Sequence, residues 1–266
     1  MAEASKPTIL AFHGSGSNTT IHTVQLARLN RLLKPHFNIE VLEAPFPSAA
    51  GPGILPFFEG CGPFKRWIPP AEKLSISGMK AGEASPHMPA AVEELIASTV
   101  PSITRAQGGK GKVVGLIGFS QGTRVVAGLL KGAEICRALE AAGEDVSQIG
   151  WLGFEFAVSV CGSYPPALIP PAVSAALASS SLSGEQQKEL VESRVSIPTL
   201  HIQGREDEWA WAGKLLIEGV YEEGEGKSEV RELAMGHHYP VLQEDSEGIR
   251  EWVLDTYRRT AEREKR

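Results

Sequence analysis

The sequence predicts an α/β fold: a doubly wound, mostly parallel sheet with loop or lid insertions, formed as one domain over residues 1–266. Three features predict it. Short apolar runs recur along the chain, and several are continuous rather than alternating, the pattern of strands covered on both faces. Segments with apolar residues at helical spacing lie between them, as in right-handed strand–helix–strand crossovers. One run, KVVGLIGF, passes through Ser120-Gln121-Gly122 straight into the helical pattern TRVVAGLL, which leaves room only for a sharp turn.

The elements follow in order. Thr8–Phe12 (TILAF) is the first expected strand. Asn18 and Thr19 suit a helix N-terminus, and Leu26, Leu29, Leu32 and Leu33 share one face of the helix that follows. A strand at 39–42 comes next. Val92, Leu95 and Ile96 mark a helix, 113–118 a strand, and Val125, Val126, Leu129 and Leu130 another helix. Strands at 154–160, 199–202 and 230–233 complete the sheet, with a helix after Asp207 and a last one marked by Ile249, Trp252, Val253 and Tyr257. Two stretches interrupt the alternation: 45–89, rich in Gly and Pro, and 164–193. Long irregular insertions in a compact α/β domain are expected to be loops or lids beside a site.

Composition narrows the function. The chain is 42% hydrophobic and 22% charged, which excludes most disordered and coiled-coil classes. Its net charge is −6 and its Lys and Arg are scattered, so nucleic acid is not an expected partner. Three cysteines, Cys61, Cys136 and Cys161, stand far apart in no zinc-like or disulfide-framework spacing. The first residues lack the basic start and apolar region of a signal peptide, and no apolar run reaches the ~18 residues of a membrane span. A soluble, cytoplasmic protein is expected.

Gly118-Phe119-Ser120-Gln121-Gly122 is a G-x-S-x-G pattern, and its strand–turn–helix context gives it meaning. The turn lifts the Ser120 hydroxyl above the sheet and points the first amides of the next helix at the same spot. A plain helix-capping serine is the simpler alternative, which the flanking elements disfavour. A serine nucleophile needs a base. On folds with this elbow the order is nucleophile, acid, histidine, which leaves His201, His237 and His238. His201 lies inside an apolar strand and reads as a core residue. His237 and His238, in AMGHHYP, follow the last strand; Gly236 favours presentation of His237, with His238 as a neighbouring pocket group. The acid is expected in HIQGREDEW, at Asp207, with Glu206 as the alternative; a helix N-terminus rich in acids is the plainer reading of the same residues. Two amides must hold the oxyanion of acyl transfer. Gln121 N–H follows the nucleophile, and His13-Gly14-Ser15-Gly16 after the first strand offers Ser15 N–H. The rival phosphate-loop reading of GSGSN lacks both the GKT ending and the dinucleotide glycine spacing. His13 is expected to orient this loop.

Together HGSGSN, EAPFPSAAGPGI, GFSQG, HIQGREDEW and GHHYP resemble the fungal family of serine hydrolases, small α/β-hydrolases that include polyketide-pathway esterases and thioesterases of the lovastatin and citrinin type. The resemblance covers nearly the whole chain. It implies Ser120 as nucleophile, Asp207 as acid and His237 as base, the last through its spacing to Pro240. It also implies cleavage of an acyl ester or thioester, with release of a polyketide or other acyl chain from a carrier protein as one setting. No metal or organic cofactor is expected. Phe57, Phe58, Phe64 and Trp67 are candidates to line an acyl pocket or to pack locally. Lys65 and Arg66 are candidates to meet a phosphopantetheine or carboxylate, or to be simply solvated. An acyltransferase using the same acyl-enzyme, and a ligand receptor on this fold, are the alternative functions; a receptor would show a broken triad, and no member is missing here.

Overall fold

The structure, a computed structural model, describes residues 6–263. Six strands form one parallel sheet: β1 (Thr8–Phe12), β2 (Asn38–Leu42), β5 (Val113–Phe119), β6 (Phe156–Val160), β7 (Thr199–Gly204) and β8 (Ser228–Leu233), in the order β2-β1-β5-β6-β7-β8. All six sit where apolar runs predict them. Only the ends differ: the run at 154–160 pairs as a strand from Phe156 onward, and the last strand begins at Ser228.

The continuous runs have a physical cause in the two core layers. In β1, Leu10 and Phe12 enter one layer, while Ile9 and Ala11 enter the other. The first layer is closed by α4 (Ala90–Ala106), α5 (Gly122–Ala141), α6 (Pro171–Ser179) and α8 (Ala210–Val220), through residues such as Val92, Val125, Leu129, Val173 and Leu216. The second is closed by α2 (Ala27–Leu33) and α9 (Gln243–Arg263) through Leu29, Leu33, Ile249, Trp252 and Val253. A strand buried on both faces has no polar face to alternate with. The helix expected after Asn18 is divided in two, α1 (Thr19–Gln25) and then α2, with Leu26 at the junction. Asn18 caps α1: its side-chain oxygen accepts from Ile21 N–H at 2.9 Å. Among the described residues no helix is long and apolar enough to cross a membrane.

The two insertions are more ordered than their composition suggests. The 45–89 stretch holds an antiparallel pair, β3 (Phe46–Ser48) with β4 (Phe64–Arg66), then a 3-10 turn at Pro70–Glu72 and α3 (Ile76–Lys80). It is tied down at its base. Trp67 is fully buried, its indole N–H donates to His13 O at 2.7 Å, and its ring lies 5.4 Å from that of Phe12. The Asn18 amide also donates to the carbonyls of Cys61 and Pro63. The 164–193 stretch corrects the expectation of an irregular loop, because most of it is α6 and α7 (Gly184–Glu192). Pro171 opens α6 at a position where proline's fixed φ favours a helix, and Ser183 with Gln186 forms a capping box on α7. Pro171 and Ser183 are thus helix starts rather than loop residues.

Candidate active site

The C-terminal ends of β5, β6, β7 and β8 carry the site, the edge at which parallel α/β sheets present ligands. Ser120 follows β5 with φ +49°, in the left-handed region that a non-glycine residue occupies at a cost of ~1–3 kcal/mol. The turn is locked from several sides. Ser120 N–H donates to Val160 O at 3.1 Å, and Ser120 O accepts from both the amide and the hydroxyl of Thr123, at 2.9 and 2.7 Å. Two glycines are needed for steric reasons. A Cβ on Gly118 would stand 2.9 Å from Thr123 Cα, and one on Gly122 would stand 2.3 Å from Phe12 O.

Asp207 and His237 meet across two loops. Asp207 follows β7 and is buried, whereas Glu206 and Glu208 on either side of it are exposed. His237 Nδ1 lies 2.8 Å from Asp207 Oδ2, and because a carboxylate only accepts, Nδ1 carries the proton. The other carboxylate oxygen accepts from Trp209 N–H at 2.8 Å. Burial alone would raise the Asp207 carboxyl, but the His237 hydrogen bond and charge, the Trp209 amide and the Cys161 thiol together hold it below its ordinary value. The Phe119 ring, 5.1 Å from His237, backs the imidazole. Ser120, His237, Ser15 and Gln121 all line one cavity of 650 Å³. Among the described residues the N–H groups of Ser15 and Gln121 have no partner inside the chain.

His238 departs from the expected pocket role. It is exposed, Nδ1 donates to Tyr239 O at 2.8 Å, Nε2 accepts from Gly236 N–H at 3.2 Å, and it lines a different hollow beside Val24 and Arg28. His13 serves its loop: Nδ1–H donates to Gly14 O at 2.7 Å and Nε2 accepts from Ala44 N–H at 3.1 Å. His201 is a fully buried core residue against Tyr221, with ring centroids 4.4 Å apart.

The aromatic lining predicted for the insertion is also corrected. Phe57, Phe58, Phe64 and Trp67 are absent from the cavity wall. Phe57 is 85% exposed, and Trp67 is consumed by packing against Phe12 and His13. The wall is built instead by small residues of the same insertion, Ser48, Ala49, Ala50 and Gly51, with Met79, Tyr164 and Trp209. That segment, PSAAGPG, carried the signal in its lack of bulk: a cavity needs residues that leave space. Of the two adjacent cations, Arg66 lines the cavity and Lys65 does not.

Cys161 was not anticipated. It ends β6 with φ +48° and its thiol reaches toward the carbonyls of Gly236 and His238, at 3.7 and 3.6 Å, bracketing His237. Ligand atoms of Cys161, Asp207 and His237 lie within 4.8 Å of one another. This donor set fits a metal poorly. The Asp207 oxygen is committed to His237, and burial, with the Asp207 charge and hydrogen bond beside it, pushes the thiol up, whereas a metal requires the thiolate.

Fold and site together are those of an α/β-hydrolase. The chain belongs to the family described as Serine hydrolase (FSH1), which matches residues 1–249. Among curated proteins it is similar to the "Dihydromonacolin L-[lovastatin nonaketide synthase] thioesterase" of Aspergillus terreus, at 32% identity over 89% of this chain and 87% of that protein. It is also similar to "Probable esterase azaC" of Aspergillus niger, at 30% identity over 96% of this chain and 86% of that protein. Among solved structures it shares its fold with a Bacillus cereus carboxylesterase, with a TM-score of 0.50 and 14% identity over 96% of this chain and 90% of the other. The protein is a serine hydrolase of the esterase and thioesterase kind.

Proposed function

We propose that the chain cleaves an acyl ester or thioester through an acyl-Ser120 intermediate. The observation that carries this is the His237–Asp207 pair at 2.8 Å, opening on the same cavity as Ser120 at its left-handed turn. With Nδ1 protonated and held by Asp207, Nε2 is the ring nitrogen left to take the Ser120 proton. Ser120 Oγ attacks the acyl carbon, and the resulting oxyanion is held by the Ser15 and Gln121 amides; one such donor contributes ~2.7–4 kcal/mol to lowering the barrier. The imidazolium returns its proton to the departing alcohol or thiol. Water, deprotonated by His237, then attacks the acyl carbon, and the acid leaves as His237 passes that proton to Ser120 Oγ, which restores both side chains. All the proton carriers this cycle needs are side chains of the chain. In its finer form the substrate is a polyketide or related acyl chain presented on a carrier protein; the support is that relatives over most of the length carry thioesterase and esterase names.

A fluorophosphonate probe tests the mechanism directly. The wild-type protein is expected to be labelled at Ser120, and Ser120→Ala to lose labelling. Labelling that persists in Ser120→Ala would sink the assignment of the nucleophile.

A further inference from the structure

We propose that the Ser120 cavity selects an anionic substrate, one bearing a carboxylate or phosphate, and that Arg66 is the residue that recognises it. This deepens the reading above and rests on it only in taking the cavity as the substrate site. The charge pattern is one-sided. Arg66 and Lys73 line the cavity, and its wall contains no Asp or Glu among the described residues. Lys73 is exposed at the mouth, whereas Arg66 is only 7% exposed.

The Arg66 guanidinium is unusual within this chain. It makes no hydrogen bond or ion pair among the described residues, and its Nε is fully buried without a partner. The other buried cations are satisfied internally. Arg124 donates to the carbonyls of Pro166 and Ser85 at 2.9 Å each and lies over the Tyr164 ring. Lys131 is held by the carbonyl and hydroxyl of Ser193. A buried charge without partners is costly, so a fold that pairs its other buried cations and leaves this one open is holding it for something that arrives. What fits is set by the guanidinium: a planar fork of donors matches the paired oxygens of a carboxylate or phosphate. Of the neighbouring groups only the Tyr164 phenol acts on it electrostatically, and that ring is already covered by Arg124. The wall from Pro47 to Pro52 offers small side chains, and Asp207 is engaged behind His237. The anion has two possible positions on the substrate. It is either a carboxylate on the acyl chain or the phosphate of a phosphopantetheine leaving group.

Equilibrium binding to Ser120→Ala, read by calorimetry, separates these and does not require turnover. Two ligand pairs are compared: monomethyl glutarate against dimethyl glutarate, and S-butyryl phosphopantetheine against S-butyryl pantetheine. The anionic member of at least one pair is expected to bind about ten-fold tighter or more, and the pair showing it locates the anion. Adding Arg66→Met should collapse that contrast to near unity. Because Arg66→Met removes an unpaired buried charge while keeping a flexible stem, its Tm should stay at or above that of the parent. Equal affinities in both pairs, a contrast that survives Arg66→Met, or a marked fall in Tm that exposes a structural role would each overturn the proposal. Failure of fluorophosphonate labelling at Ser120 would instead count against the mechanism, so the two failures are distinguishable.

Discussion

At the scale of single residues, the site depends on groups placed by backbone that other side chains would not tolerate. Ser120 and Cys161, both at φ near +49° and +48°, end neighbouring strands, and each donates its amide to the next strand over, at Val160 O and Ile202 O. This places Ser120 and the Cys161 thiol, which reaches toward the loop of His237, at the same level above the sheet. Asp207 gives the sharpest test. Asp207→Asn keeps the size but allows the wrong imidazole tautomer to be held, so kcat should fall by about 10³–10⁴-fold with the fold intact. His237→Ala should lose activity comparably, and His238→Ala should not, since its ring is bound to Tyr239 O and turned away from the cavity. Ester hydrolysis measured on the three variants decides it: a near-normal rate in Asp207→Asn, or loss in His238→Ala alone, would reassign the acid or the base. The sequence places an acid in the turn after β7, at Asp207 with Glu206 as the alternative, but no pattern in it separates the two; what separates them is that Asp207 is buried against His237 while Glu206 is exposed. The choice of His237 over His238 was weak in the sequence too, because a doubled histidine gives no period to decide between neighbours.

At the scale of elements, the insertion of 45–89 is held to the sheet by Trp67, Ile68 and Met88, which enter the core layer of Leu10 and Phe12, and by a few polar contacts. Asn18 is the hinge of that attachment. One side chain caps α1 and also donates to Cys61 O and Pro63 O, joining the first helix to the loop that leads into β4 and Arg66. Asn18→Ala removes a cap worth ~1 kcal/mol and leaves two carbonyls without their donor, so thermal unfolding should shift downward by ~1–3 kcal/mol of stability. Because the insertion builds the cavity wall at Ser48–Gly51, the variant should also raise KM more than it lowers kcat. A Tm equal to wild type would show that the attachment is redundant. The same elements show where composition misleads. The insertions are rich in Gly, Pro and Ser, and those residues mark loops and helix starts alike. What separates them is the pairing of Ser183 with Gln186 or the placing of Pro171 at a first turn, a distinction of geometry that composition does not carry. The aromatic residues misled for a related reason: Trp67 is apolar enough to line a pocket, but the Phe12 ring and the His13 carbonyl claimed it first.

At the scale of the whole molecule, the two core layers that made the strand runs continuous also each enclose a neutral imidazole. His22 lies beneath the site against Phe119 and Tyr239, whose aromatic rings belong to one layer, and His201 lies in the other against Tyr221. Burial lowers both to about 3 from 6.5, with the charge of His13 adding to the effect on His22, and among the described residues both nitrogens of His201 lack partners. The unfolded chain therefore binds protons at these histidines in a range where the native one does not. Stability from their burial is complete above about pH 6.5 and is lost as the pH falls from there toward 3. Each histidine contributes a slope approaching ~1.4 kcal/mol per pH unit within that window. Asp207, held low in the native state, adds a loss of the same sign only in the more acid carboxylate range. The interval from about pH 6.5 to 5 isolates the histidines, since ordinary carboxylates titrate below it. Urea unfolding across that interval should show stability falling with acidification in the wild type. His201→Leu, which keeps the site in the core apolar, should shallow the slope by about the share of one histidine. An unchanged slope in His201→Leu would mean that the imidazole takes up its proton inside the folded protein, and the account of β7 as a sealed strand between two layers would have to be given up.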